Sequence, residues 1–454
     1  MLNTYTKEFK RNLQLAWPII LGLVGHTLVG LVDNVMVGKL GTADLAAVSL
    51  GNSILFMGMS VVLGFSTAIT PLIAAADSTH NTKEGRSVLK NGVLVITALG
   101  IILTVIIFLI KPFIYQMKQP QEVVALAIPY LNVVAISLIP LALFQAFKQF
   151  ADGLSQTKYS MWATILANVL NVFFNYVLIY GIWFFPEMGI VGAAWGTLIS
   201  RVFMAIIMYY LIFNKEKFRV FFVDFWKEKI AKTTIYRINQ LGFPSAMQMF
   251  FEFGIFTAAI WLSGTLGKNP QAANQIALNL SSFTFMFAMG LSVVAIIRVG
   301  NQYGLKDYKE LKRVAVSVFL LILIMDVVFA LFFMLFNNFL PTIYLDVKDI
   351  DNMHDNMEVI AITSKLLIIA AFFQLFDGLQ AVILGALKGM QDVKIPTLIT
   401  FIAYWVIAFP ICYYLGLVAG YESEGLWIGL LIGLAFSAGL LLWRFHVVTK
   451  RLIG

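Results

Sequence analysis

About twelve runs of 18 or more mostly apolar residues can be marked along the chain, and little else constrains its fold so tightly. Each run, wound as a helix rising about 1.5 Å per residue, crosses the roughly 30 Å of hydrocarbon in a bilayer. The runs lie at about 13–37, 47–73, 91–112, 125–147, 160–182, 190–213, 241–264, 275–297, 314–338, 362–387, 396–418 and 425–447. Composition agrees, with 60% hydrophobic and only 12% charged residues and a mean hydropathy of +0.86, which lies outside the globular class. The expected fold is all-α and integral to a membrane, with about twelve transmembrane helices.

The formal net charge of +8 raises the question of a nucleic-acid partner, but in a membrane protein the placement of basic residues matters more than their sum. With the N-terminus taken as cytoplasmic, about 25 Lys and Arg fall on the inner side and five, Lys39, Lys111, Lys118, Lys268 and Lys348, on the outer. The bias predicts cytoplasmic termini at both ends and no nucleic-acid binding. Cys412 is the only cysteine, so disulfides and cysteine-rich metal sites are not expected. The polar start MLNTYTKEFKRN runs into a full-length span rather than a short signal core, so the first span is expected to remain in the mature protein.

The basic stretch from Asn214 to Gln240 divides the spans six from six. It predicts an N-terminal six-helix lobe (1–213), a cytoplasmic connector (214–240) and a C-terminal six-helix lobe (241–454). Sliding the chain over itself until Leu15, Ala16, Trp17 and Pro18 meet Leu241, Gly242, Phe243 and Pro244 exposes a repeat. The same register sets Gly38 and Gly41 over Gly264 and Gly267, and Gly64 and Ser66 over Gly290 and Ser292. Once a longer loop in the second half is allowed for, Gly153 and Lys158 meet Gly389 and Lys394. Both halves start on the same side, so parallel, pseudo-symmetric bundles facing a central cavity are expected, rocking about a midplane site.

Carboxylates inside such spans are the strongest functional signal, because an ionised group at the bilayer centre costs roughly 3 kcal/mol on insertion scales. Glu252 lies near the middle of the run Leu241–Gly264, Asp377 as deep in its own run, and Asp33 toward the end of the first. The repeat places His26 at the depth of Glu252, and His26 and Asp33, seven apart, share a helix face. Asn168, Asn171 and Asn175 form an amide stripe with Thr197 as a neighbour on the next span; they either glue helices together or join Asp33 around a cation. Gln248 precedes Glu252 by one turn, Gln275 and Asn279 share a face with Phe283 and Met286 beyond them, and Gln374 and Gln380 flank Asp377. Amides, aromatics and methionines beside an acid suit an adaptable pocket for lipophilic cations. Lys365 and Arg201 are expected to snorkel or pair internally. Asp77, His80, Lys83, Glu84 and Arg86, and the outer acids Asp346, Asp349, Asp351, Asp355 and Glu358, read as solvated segments.

No phosphate loop, HExxH zinc motif, GxSxG elbow or Cys/His cluster is present, so an ion gradient rather than nucleotide hydrolysis is the expected energy source. A buried carboxylate balances one positive species at a time. Competition between Na⁺ or H⁺ and a cationic solute at Glu252 and Asp377 is then a minimal antiport cycle.

The segments LAWPIILGLVGHTLVGLVDNVMVGKLGTADLAAVSLG, FFEFGIFTAAIWLSGTLG, AANQIALNLSSFTFMFAMGLSVVAIIRVGNQYG and FQLFDGLQAVILGALKGMQDVKIP resemble the multidrug and toxic compound extrusion (MATE) transporters, specifically their NorM branch. The resemblance implies a non-enzymatic, monomeric exporter of cationic lipophilic compounds in the cell inner membrane, coupled to Na⁺ or H⁺ and needing no other cofactor. Carried over by motif, Glu252 and Asp377 are the C-lobe cation site, ligands of Na⁺ if sodium couples, and Asp33 is the N-lobe acid with Asn171, Asn175 and Thr197 nearby. His26, Gln248, Gln275, Asn279 and Gln374 are expected as auxiliary ligands or cavity lining. Two departures, Asn34 where the pattern commonly has Thr and amides where some relatives carry a second acid, weaken the N-lobe as a cation site. A lipid-linked saccharide flippase of the same superfamily would call for a cavity lined by Arg and Lys, whereas the deep charges here are acidic. An integral-membrane transferase would call for acidic or His clusters at a membrane surface.

Overall fold

The computed structural model describes residues 2–115, 121–183, 185–223, 225, 227–345 and 353–454. Lys118, Lys348, Asp346, Asp349 and Asp351 lie outside the described residues. The twelve apolar runs all become helices: α1 (Lys7–Gly38), α2 (Ala43–Ser78), α3 (Thr82–Ile114), α4 (Gln121–Gly153), α5 (Thr157–Tyr180), α6 (Gly189–Asn214), α7 (Lys232–Thr265), α8 (Lys268–Leu305), α9 (Tyr308–Phe336), α10 (Met353–Gly389), α11 (Lys394–Val418) and α12 (Glu422–Ile453). No strand occurs among the described residues, as expected for backbone that must pair its polar groups within each span. The helices overrun the apolar windows; α7 starts at Lys232, inside the expected connector. The polar turns KTTIYRINQ continue the helix beyond the hydrocarbon, where hydropathy no longer marks it.

The internal repeat is written into the backbone. Gly41 and Gly267, equivalent in the repeat, precede α2 and α8 with φ of 154° and 123°, a region only glycine enters readily. His80 and Lys306, in the same register, both turn left-handed, at φ 54° and 58°. The next residues, Asn81 and Asp307, cap the following helices by accepting the backbone N–H of Glu84 and Glu310 at 3.1 and 3.0 Å. Beyond the longer loop of the second half, Ser155 (60°) matches Gln391 (62°). A Cβ at Gly153 would meet Ile73 at 2.8 Å, and one at Gly389 would meet Val299 at 2.9 Å, so the same helix pair closes in each half.

The chain separates into two compact units, residues 17–246 and residues 1–16 with 247–454. The first is built on α5 against α6, α3 against α4 and α2 against α4. Its connector includes a short helix, Glu216–Phe222, and docks on α3: Lys90 Nζ donates to the carbonyls of Phe225 (3.2 Å) and Glu228 (2.5 Å). Asn91 Oδ1 accepts Ala231 N–H at 3.1 Å, and Glu84 pairs with Arg237 at 2.7 Å. The turn carrying Asp77 to Arg86 is therefore partly an anchor, not only a solvated segment.

The second unit centres on α8, α10 and α12, around fully buried Trp427, Tyr404 and Phe373. Trp427 packs at 5.3 Å from Phe373, ring centre to ring centre, and donates its indole N–H to Asn274 Oδ1 at 2.9 Å, satisfying the one polar atom of a buried indole. The opening turns of α1 belong to this unit. There Arg298, 5% exposed, pairs with Glu8 at 2.5 Å and donates to Asn12 Oδ1, while Asn12 donates to Ser317 at 3.0 Å.

Candidate functional site

In the unit 17–246 the sequence-marked residues converge. Asp33 on α1 faces α5, and Asn175 Nδ2 donates to its Oδ1 at 2.6 Å. Asn175 also donates to Asn171 Oδ1 (3.3 Å), and Asn171 to Ser200 on α6 (3.4 Å). The amide stripe is thus both the glue between α5 and α6 and the partner of the acid. A cavity of about 200 Å³ is lined by His26, Asp33, Asn168, Asn171, Thr197 and Arg201.

Two groups here escaped the sequence reading. Tyr130 and Asn52, which also line the cavity, hydrogen-bond at 2.9 Å. Arg201, for which snorkelling or internal pairing was expected, is buried; it donates to Ser137 Oγ at 2.7 Å and to Met59 Sδ at 3.3 Å. Its charge reaches Asp33 without a direct hydrogen bond. The cavity therefore holds one carboxylate and one guanidinium, with amide and phenol groups between them.

In the other unit Glu252 on α7 accepts from Gln248, one turn earlier, at 3.3 Å. Half-buried Lys388, near the end of α10, lies within electrostatic reach of Glu252. Asp377 and Gln374 are buried on α10, 6% and 4% exposed, and Asp377 feels the charges of both Glu252 and Asp326. Gln380 and Tyr404 exchange hydrogen bonds at 2.5 and 2.8 Å alongside. Gln275 and Asn279 are exposed on α8 and hydrogen-bond each other at 3.3 Å rather than Glu252 or Asp377. Lys365 reaches Glu424 at 3.0 Å and stays exposed, in keeping with a snorkelling side chain.

Asp326 on α9 is the residue the sequence reading passed over. It is 2% exposed, in a span whose hydropathy is among the highest of the twelve. The signal was available, since an acid in such a run is a functional candidate by default. Near the start of α10, the structure also gathers His354, Asp355 and Glu358 within 4.8 Å. Asp355 is held by Lys268 at 2.5 Å, and Asn269 donates to both Asp355 and Glu358. These two acids are engaged rather than freely solvated.

A family model described as MatE matches residues 18–177 and again 244–414, so its two copies start at Pro18 and Pro244, in the register of the repeat. The chain is 33% identical over 451 residues to a probable multidrug resistance protein NorM of Rhizobium meliloti, covering 99% of this chain and 95% of that one. It is 31% identical to the multidrug resistance protein NorM of Photobacterium profundum, covering 98% and 96%. Among solved structures, a MOP superfamily transporter from Pyrococcus furiosus superposes with a TM-score of 0.87 at 20% identity, over 98% of this chain and 97% of that one. A eukaryotic MATE transporter, AtDTX14, superposes with a TM-score of 0.85 at 18% identity, over 99% and 98%.

Proposed function

The chain belongs to the MatE family of multi-pass membrane transporters, and from that premise we propose that it exports cationic, lipophilic compounds by antiport with Na⁺ or H⁺. Its lobes, residues 1–213 and 241–454, alternate access to a midplane site, with both termini cytoplasmic and the protein in the cell inner membrane as a monomer. No covalent step is involved. The single observation that carries the antiport reading is the buried carboxylate Asp377, within electrostatic reach of Glu252 and Asp326 and with one oxygen lacking a hydrogen-bond partner among the described residues. Such a group needs a positive species from outside the protein, and a coupling ion and a cationic solute then compete for it. In the other half, Asp33 and the cavity beside it supply a second polar pocket, with Asn171, Thr197, His26 and Arg201 on its walls and Asn175 bonded to the acid.

The test is efflux of a fluorescent lipophilic cation from proteoliposomes under an imposed Na⁺ or H⁺ gradient. One gradient should drive transport in the wild type, and Glu252→Gln and Asp377→Asn should each abolish the gradient dependence. Gradient-independent transport, or silent substitutions, would falsify the antiport mechanism.

A further inference from the structure

We propose that Asp326 is a ligand of a monovalent metal cation, with Na⁺ as the species that fits, held jointly by Asp326 on α9 and by Asp377 and Gln374 on α10. This deepens the antiport reading and rests on it for its role in coupling. Three oxygens on these side chains, Asp326 Oδ2, Asp377 Oδ1 and Gln374 Oε1, are buried with no hydrogen-bond partner among the described residues. All three side chains are themselves buried. The orientation of the amide is set by its other end: Gln374 Nε2 donates to the backbone carbonyl of Asp326 at 3.4 Å, which leaves Oε1 as the orphan. Orphaned polar atoms are uncommon in protein interiors and expensive in hydrocarbon, so three on neighbouring side chains call for a common partner.

Charge points the same way. Glu252 has Lys388 within reach, and Asp33 has Arg201. Asp377 feels only the negative charges of Glu252 and Asp326, and no cationic group among the described residues acts on Asp326. A buried acid that feels two other acids and no internal cation must be balanced from outside. A single proton can satisfy at most two of the three oxygens. A small hard cation accepts all three, which is the coordination that buried carboxylate and amide oxygens offer best.

The fold makes room for this acid. A Cβ at Gly378 would overlap Asp326 Oδ2, so the carboxylate occupies the space a side chain on α10 would take. At the matching crossing of the other half the glycine sits on the opposite helix: Gly100 of α3 faces Ala142 of α4, where a Cβ would stand 2.7 Å from the alanine methyl. Gly100 corresponds to Asp326 in the register that pairs Gly41 with Gly267, and Ala142 corresponds to Gly378 in the register that pairs Gly153 with Gly389. The two halves share one close crossing, and only the C-terminal half uses it to seat a carboxylate.

The experiment is thermal unfolding of the purified full-length protein titrated with NaCl at constant ionic strength made up with choline chloride. Wild type, Asp326→Asn, Gln374→Met and Glu252→Gln are compared, and efflux is run in parallel. Sodium should raise the wild-type midpoint saturably. Asp326→Asn should weaken the apparent Na⁺ affinity by more than about tenfold, since even outer partners of a metal site are worth about 10–100-fold. Gln374→Met should weaken it in the same direction and serves if the first variant fails to fold; Glu252→Gln should weaken it less than Asp326→Asn. An Na⁺ response unchanged in Asp326→Asn or Gln374→Met overturns the site, whatever the efflux result. No Na⁺ response in a wild type that a proton gradient drives overturns the metal ligand while antiport stands. A wild type that binds Na⁺ but ignores both gradients removes the antiport reading and leaves the site.

Discussion

Replacing Gly196 with alanine tests whether the polar stripe on α5 is held in place by its neighbour α6. A Cβ at this position would overlap Asn175 Oδ1 and stand 3.0 Å from the Asn175 backbone nitrogen. Asn175 must therefore turn away, and with it goes the 2.6 Å hydrogen bond to Asp33. Overpacking costs about 1–3 kcal/mol, and a side-chain hydrogen bond between membrane helices averages about 0.6 kcal/mol, with a maximum near about 1.7 kcal/mol. Gly196→Ala should then destabilise by about 2–3 kcal/mol. Asn175→Ala, which loses only hydrogen bonds, should cost about 1 kcal/mol. The double variant should resemble Asn175→Ala alone, because the clashing amide is gone, giving a favourable coupling of about 2–3 kcal/mol. Thermal unfolding of the four proteins in one detergent measures the cycle. If the two losses simply add, alanine at 196 acts through the α5–α6 backbone packing and the amide is not the element under strain.

Glu8→Gln should lower the unfolding midpoint by the equivalent of about 3 kcal/mol, because it strands a guanidinium only 5% exposed; Arg313→Ala, which removes a side chain 43% exposed, should change it by less than about 1 kcal/mol. Lys90→Met should speed tryptic cleavage between residues 215 and 232 on the order of tenfold, since it removes charged hydrogen bonds to two connector carbonyls. Unaltered cleavage would mean that the remaining ties, among them Asn91, the Glu84–Arg237 pair, Lys217 on the Leu154 carbonyl and buried Phe218, suffice to hold the connector down.

Apolar length carried the fold because a span must be long and unbroken, and the repeat carried its pairing because turn residues recur at one offset. That offset pairs Gly41 with Gly267, and the backbone angles of both need glycine. Helix ends were less legible: Lys232 to Gln240 are polar yet helical, and hydropathy responds to lipid depth rather than to backbone conformation. Asp33, Asn171, Asn175, Thr197 and His26 were legible as a group because each lies on one face of a single helix or one step across to its neighbour. Gln275 and Asn279 looked equivalent to Gln248 by the same criterion, but a shared face on α8 does not say what that face meets, and they bond to each other.

What no single-helix pattern carries is the assignment of countercharges. Asp33, Glu252 and Asp377 look alike in the sequence, each one acid in an apolar run. Tertiary packing separates them by bringing Arg201 from α6 toward Asp33 and Lys388 from α10 toward Glu252. Asp377 instead receives a second acid, Asp326, seated against Gly378. An acid whose counter-ion is covalently part of the protein can be neutral overall throughout a cycle, so it has less need of a solute or coupling ion. An acid that meets only other acids has that need permanently. The position of two basic residues thus separates the buried carboxylates: Arg201 acts on Asp33 and Lys388 on Glu252, whereas the charges acting on Asp377 are those of Glu252 and Asp326.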